Sequence, residues 1–302
     1  MQRETLGYLL GFLGVLAFSV TLPATRIAVE VMPPVMIGLG RAVVAAGTAG
    51  LVLLVLRPKR PRGRQWGSLA IVAAGVIFGF PFLSAWAMQH LPSNHGAIVL
   101  ALLPLASVLF AALRANEVPS RAFWLVSLLG SGLVIAFTIE RGAGSLHLAD
   151  LALIAAVLAA GLGYAEGGRL ARDLGGWQVI SWALVISAPL LAVPVALSFE
   201  SVPWATLSSE VWIAFLYLAL VSQYLAFFAW YAGLAMAGVA KVGQLQLLQT
   251  FLTIGFGWLL LGEVLDRTTL IFALAVFGCV AWSKRMPVTR REAAPHSPQS
   301  AP

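Results

Sequence analysis

Apolar residues in this chain come in runs of about twenty, parted by short polar or basic turns. Ten runs can be marked, at roughly 6–28, 33–56, 66–90, 94–115, 121–139, 148–170, 177–199, 210–233, 237–261 and 267–284. Each is close to the roughly 20 residues that a helix needs to cross a bilayer. A backbone in lipid has to satisfy its own hydrogen bonds, which predicts helices for these runs. The period-two alternation of a membrane barrel is absent. The pattern therefore predicts an all-α membrane protein of ten transmembrane helices. Spans and turns use nearly the whole chain and leave no room for a soluble catalytic domain.

The runs also repeat. WAMQHLPSNHGAIVLALLPLASVLFAALRANEVPSR, from Trp86 to Arg121, aligns with WYAGLAMAGVAKVGQLQLLQTFLTIGFGWLLLGEVLDR, from Trp230 to Arg267, with a two-residue gap. Glu117 falls on Glu263, Arg121 on Arg267 and His95 on Lys241. RIAVEVMPPV from Arg26 matches RLARDLGGWQV from Arg169. Residues 1–140 and 147–285 are thus expected to be two repeats of five helices each. Five is odd, so the second repeat enters from the opposite face and is inverted. Two related halves in a membrane protein point to a transporter with its site between them.

Composition agrees with this class. Only 10% of residues are charged, against about 25% in a soluble domain, and mean hydropathy is +0.91. Charge then sets the orientation. Arg57, Lys59, Arg60, Arg62, Arg64, Arg114, Arg121, Arg169, Arg172, Lys284 and Arg285 fall on the N-terminal side of the runs. Glu30, Glu140, Asp150, Glu200, Glu210, Glu263 and Asp266 fall on the other, with only Arg26, Arg141 and Arg267 as basic residues there. The positive-inside rule makes the N-terminal side cytoplasmic. Both termini are expected inside, and the location is the plasma membrane, the inner membrane of a bacterium. The net charge of +7 follows from this topology and does not imply nucleic acid. Arg57 to Arg64 reads as an anchor on anionic lipid. Glu4 beside Arg3, and the length of the first run, argue against a cleavable signal. Cys279 stands alone, so no internal disulfide forms. Residues 286–302, rich in Pro, Ser, Ala and Arg, are expected to be a disordered cytoplasmic tail.

Glu-Val-Pro-Ser-Arg after the fourth run and Gly-Glu-Val-Leu-Asp-Arg after the ninth carry a resemblance. With ten spans in two repeats, they resemble the drug/metabolite transporter superfamily, EamA type, over about residues 6–285. Arg41, within GLGRAVVAA, matches a recurrent feature of that family. Within it the chain is most similar to the YddG-type amino-acid exporters. The resemblance implies alternating access, a central cavity lined by helices 1, 3, 4, 6, 8 and 9, and export of amino acids or similar metabolites. The same superfamily also handles drugs and sugars.

Polar groups at membrane depth are costly and usually face a cavity or a partner helix. The ninth run has the densest set: Lys241, Gln244, Gln246, Gln249, Thr250 and Thr253. At about 100° per residue, Gln246, Gln249 and Thr253 fall within roughly 60° of one another, one polar stripe. In the fourth run Leu100, Leu103 and Ser107 occupy the matching positions, so the scaffold folds without those amides. The glutamines either hold substrate or join neighbouring helices. Lys241 either meets a substrate carboxylate, senses a proton, or extends to the headgroups. His95, Gln89, His90 and Asn94 read as solvated polar groups of the outer mouth. Phe80 and Trp86 in the third run, with Gln223 and Tyr224 in the eighth, are candidates for the wall that holds an apolar side chain. Trp230 and Tyr231 suit interfacial anchoring. Tyr164 and Glu166 mark the sixth run. Glu166 is either a proton site or the partner of Arg169 at helix spacing. Arg41 either attracts an anionic group or fixes helix packing. Pro23, Pro81, Pro104, Pro189 and Pro194 are candidate hinges, with Ser19 and Thr21 softening the first helix.

No HExxH, no metal-spaced Cys or His cluster and no P-loop is present, so no metal, cofactor or ATP drive is expected. An intramembrane enzyme needs a Ser-His, paired-acid or metal set at one depth, and none is found. The expected function is a secondary-active or facilitative exporter of amino acids, aromatic and apolar ones included, or of similar small metabolites. Proton coupling stays open. Export of a drug or another metabolite is the alternative within transport, and a membrane scaffold the alternative outside it.

Overall fold

The computed structural model describes residues 2–90, 99–100, 102–140, 148–261 and 267–290. Asn94, His95, Glu263, and the tail from 291 onward lie outside the described residues. The chain is a bundle of helices: α1 (Gln2–Val29, interrupted at Val20), α2 (Met36–Leu56) and α3 (64–90). After them come α4 (Leu103–Arg114), α5 (Arg121–Glu140), α6 (Leu148–Leu174) and α7 (Gly176–Ser198). The last are α8 (Ser209–Ala237), α9 (239–261) and α10 (Arg267–Arg285). Among the described residues, seven helices are long and apolar enough to cross a membrane. Residues 103–114 and 121–137 form shorter apolar helices, and α9 is broken by a 3-10 turn.

Lipid offers no hydrophobic drive between helices, so close approach of small residues has to supply the contact. α1 lies on α8 through such a seam. A Cβ on Gly233 would stand 2.6 Å from the Gly11 nitrogen and 2.7 Å from the Gly7 carbonyl oxygen. α6 is the hub of the bundle for the same reason. Its Gly161 meets Ala106 of α4, its Gly163 meets Val76 of α3, and its Gly168 meets Leu234 of α8. Leu54, Leu125, Leu197, Ile213 and Leu274 point outward, as a lipid-facing surface requires.

One end of the bundle gathers the basic segments. There Glu117 does work that its sequence position hides. The α8–α9 turn uses Gly238 at φ +97, a conformation that side chains resist. The first amides of α9 then point at Glu117, whose carboxylate accepts from Val239 N at 2.9 Å and Ala240 N at 2.8 Å. Arg172 of α6 completes the site at 2.9 Å. A buried anion at a helix N-terminus satisfies orphan amides and complements the helix dipole. The matching residue Glu263 lies outside the described residues.

The helical bundle carries one short addition: β1 (Glu117–Pro119) and β2 (Val288–Arg290) form an antiparallel pair, with Val118 opposite Thr289. The tail therefore starts ordered: Ser120 N also donates to the Pro287 carbonyl at 3.1 Å. Its β-branched residues 288 and 289 meet an otherwise unpaired edge beside the Glu117 cap.

Gly233→Ala is expected to lower the melting temperature of the purified protein in detergent, by about 1–3 kcal/mol of overpacking. Gly132→Ala, where a Cβ meets nothing within 4 Å, should leave it unchanged. Equal melts for the two variants would mean that the α1–α8 seam is looser than described.

Candidate functional site

Regular helices leave no backbone group free, so a site inside a bilayer is found where they break. Four helices break near one another. α1 is interrupted at Val20. α2 begins with the π-helical stretch Met36–Gly40, α3 contains Ala73–Gly79, and α8 contains Tyr217–Leu225. π-Bulges of this kind collect at functional positions. Side chains join the breaks: the Thr21 and Ser222 hydroxyls lie 2.8 Å apart.

Two prolines explain what several polar side chains do. Pro23 has no N–H for the Ser19 carbonyl, four residues earlier. That carbonyl accepts the Thr253 hydroxyl of α9 at 2.7 Å. The neighbouring Phe18 carbonyl takes the Gln249 amide at 3.5 Å, and the Ala17 carbonyl takes the Tyr217 hydroxyl. In α3 the π register puts Phe80 N on the Gly75 carbonyl. The next donor in that register would be Pro81, which has none. The Val76 carbonyl left over accepts the Gln223 amide of α8 at 3.1 Å. Thr253 and Gln223 therefore replace missing backbone donors, and Gln249 adds a donor to the α1 backbone.

The expected single stripe on α9 is not what forms. Residues Gln244–Leu248 wind as a 3-10 turn, which advances faster per residue than the α-helix assumed in reading the stripe. Gln246 turns to α4, where its Oε1 accepts the Ser107 hydroxyl at 3.3 Å. Gln249 and Thr253 turn to α1. Neither side-chain polar atom of Gln244, nor Gln246 Nε2, nor Trp230 Nε1 has a partner, although all are buried. Such orphans are rare and call for a water or a ligand.

Arg41 is another unsatisfied group, and it carries a charge. It sits at the start of the regular part of α2, only 4% exposed. Its Nε has no hydrogen-bond partner, and none of the ion pairs among the described residues includes it. It lines a cavity of about 10 Å³ with Thr21 and Thr25 of α1 and Phe80, Pro81 and Ser84 of α3. That volume holds about one water or one ligand oxygen. Tyr164 of α6 is within electrostatic reach of the guanidinium. Its ring packs on Trp230, with centroids 5.3 Å apart, and Phe18 and Phe227 extend the aromatic cluster. This small cavity lies among helices 1, 2 and 3. Thr25 and Ser84 were not legible as site residues. A short hydroxyl side chain in an apolar run gives no signal without its neighbours.

The remaining candidates separate from this cavity. Glu166 pairs with Arg169 at 2.5 Å and with Arg114 at 3.0 Å, the second of the two readings with one more partner. Lys241 pairs with Glu4 of α1 at 3.0 Å. Tyr224 shares a hydrogen bond with Ser181 of α7 at 2.8 Å. Trp86 stacks on His90, with ring centroids 4.5 Å apart. Among the prolines, Pro104 starts α4, where a missing N–H breaks nothing. Pro189 and Pro194 lie inside α7, which continues through them.

Comparison with known proteins bears on this arrangement. Residues 5–138 and 147–283 each match the model of the EamA-like transporter family. The chain is 43% identical over 285 residues to the uncharacterized transporter YdeK of Bacillus subtilis, covering 94% of this chain and 99% of that one. It is 28% identical over 293 residues to the "Probable terminal-alkyne amino-acid exporter" of Streptantibioticus cattleyicolor, covering 93% and 94%. A solved crystal structure superposes with a TM-score of 0.76 at 20% identity, covering 92% of this chain and 98% of that one, a likeness of fold.

A buried charge without a partner destabilises the protein that holds it. Arg41→Met is therefore expected to raise the melting temperature of the ligand-free protein, by about 1–4 kcal/mol. A variant that melts lower than the parent would show that the guanidinium already has a structural partner.

Proposed function

Because the chain belongs to the EamA-like transporter family, we propose that it exports amino acids or closely similar small carboxylates by alternating access. It is a multi-pass transporter of the bacterial inner membrane. In this reading ten membrane helices form two inverted five-helix repeats, with both termini cytoplasmic. The contacts that gather Glu4, Arg172, Lys241 and the β1–β2 pair at one end agree with the sidedness read from the basic loops.

Arg41 carries the proposal. A guanidinium that is buried, unpaired and open to a cavity matches the planar, bidentate geometry of a carboxylate. The aromatic cluster of Phe18, Tyr164, Phe227 and Trp230 offers an apolar wall for a side chain. Gln244 and Gln246, with amide groups unsatisfied, supply further donors and acceptors. A relative named as an amino-acid exporter fits this cargo class. A neutral hydrophobic drug would leave the guanidinium without a counter-charge, which weighs against the drug reading. The cavity admits one ligand group and no whole amino acid, so cargo enters only when the helices move apart. The breaks in α1, α3 and α8 place compliant points beside the cavity for that motion.

The test is efflux of labelled leucine and phenylalanine from proteoliposomes. Arg41→Gln should slow it about tenfold or more, the worth of a hydrogen bond to a charged group. Gln246→Ala should slow it less. Gln249→Ala should lower stability, with the rate largely kept, because Gln249 serves the α1 backbone. Parental rates for Arg41→Gln would remove the guanidinium from the cargo path.

A further inference from the structure

Resting on the carboxylate site proposed above, we infer that the cargo crosses as a net anion and that the membrane potential drives it outward. The argument is one of charge balance. Arg41 places one fixed positive charge in the cavity. The cavity it lines is otherwise walled by Thr21 and Thr25 from α1, Ile37 from its own helix, and Phe80, Pro81, Ser84 and Ala85 from α3. All are neutral, and no acid among them waits for an ammonium group. The buried acids among the described residues are Glu117, Asp150 and Glu166, and each already has a partner. Glu166 lies between Arg114 and Arg169, and Glu117 between Arg172 and the α9 amides.

A monoanionic carboxylate brings this site to neutrality. A zwitterion adds a desolvated ammonium with no counter-charge, and a cation is repelled outright. The order of preference is net −1, then zwitterion, then cation. The second part follows from thermodynamics. Over a full cycle the protein returns to its starting state, so the charge moved across the membrane is the cargo's alone. An anion inside a cell that is negative within is pushed out. At 100 mV one charge is worth about 2.3 kcal/mol, or roughly a fiftyfold shift in the ratio of cargo outside to inside. No proton site is needed for this drive, and the two groups that suggested one, Glu166 and Lys241, are both ion-paired.

Three probes of similar shape test the inference: N-acetyl-leucine (net −1), leucine (zwitterion) and leucinamide (net +1). Each is loaded into proteoliposomes of the parent and of Arg41→Gln, and efflux is followed with potassium and valinomycin holding the membrane at 0 or −100 mV inside. N-Acetyl-leucine should leave the parent vesicles at least tenfold faster than leucinamide. Its final outside-to-inside ratio should shift by about fiftyfold with the potential. Arg41→Gln should erase the preference for the anion. Leucine carried faster than N-acetyl-leucine, or anion distribution indifferent to voltage, would overturn the inference. If leucine efflux still fell in Arg41→Gln, the carboxylate site would survive that result. A parent that moves none of the three probes would overturn both readings.

Discussion

A carbonyl released inside hydrocarbon has to find a donor, and this requirement organises the centre of the bundle. Pro23 releases the Ser19 carbonyl and Thr253 takes it; Pro81 leaves the Val76 carbonyl and Gln223 takes it. In each case the proline stands in the first half of the chain and the repairing side chain in the second. The breaks that open a cavity are therefore the same features that tie α1 to α9 and α3 to α8. Hydrogen bonds between membrane helices average only about 0.6 kcal/mol. Ties of that strength hold one state in register and still exchange when the bundle moves.

Charge follows a different rule at the two levels of the molecule. At the basic end every described acid–base contact closes on itself: Glu117 with Arg172, Glu166 with Arg114 and Arg169, Glu4 with Lys241. These contacts span α1, α4, α6 and α9 and clamp that end of the bundle. The Glu117 cap adds a backbone element to the clamp, because it fixes where α9 begins, and the β1–β2 pair covers it. Arg41 lies outside this economy of pairs. A charge left unpaired where pairing is easy elsewhere is what supports the proposal of a ligand site there.

The sequence exposed the framework because its signal is bulk composition. Runs of twenty apolar residues, basic turns and two alignable halves survive any detail of packing, and the match of 5–138 and 147–283 to one family model agrees with the halves. The site was legible only in its residue types. Arg41, Phe80, Gln223, Gln246 and Tyr164 all stood out as polar or aromatic groups at depth, yet their roles depend on register. A helical wheel assumes 3.6 residues per turn, and α9 abandons it at Gln244–Leu248. The partner of Gln223 is a carbonyl, which no side-chain pattern records. Lys241 pairs with Glu4 across 237 positions, a meeting that only the fold can arrange. Glu117 looked like a family marker, and its meaning lies in amides 122 and 123 residues away.

The two halves share a scaffold but not a charge. The register that sets Arg26 on Arg169, and Val35 on Val179 after one inserted residue, sets Arg41 on Val185. It also sets Thr21 on Tyr164 and Phe80 on Tyr224. One half thus brings the guanidinium and the other brings hydroxyl-bearing rings and an aliphatic side chain. In the proposed reading of an inverted pair, alternating access exchanges the conformations of the halves, so a single charge has to be reached from both sides of the membrane. A position on the border between halves meets that demand, and Arg41 lies near one: it shares a cavity with Thr21, whose hydroxyl bonds across to Ser222 of the second half. A second arginine at position 185 would double the unpaired charge without giving access to it from a new direction. The asymmetry between Arg41 and Val185 is then the expected form of a one-anion site in a two-fold scaffold.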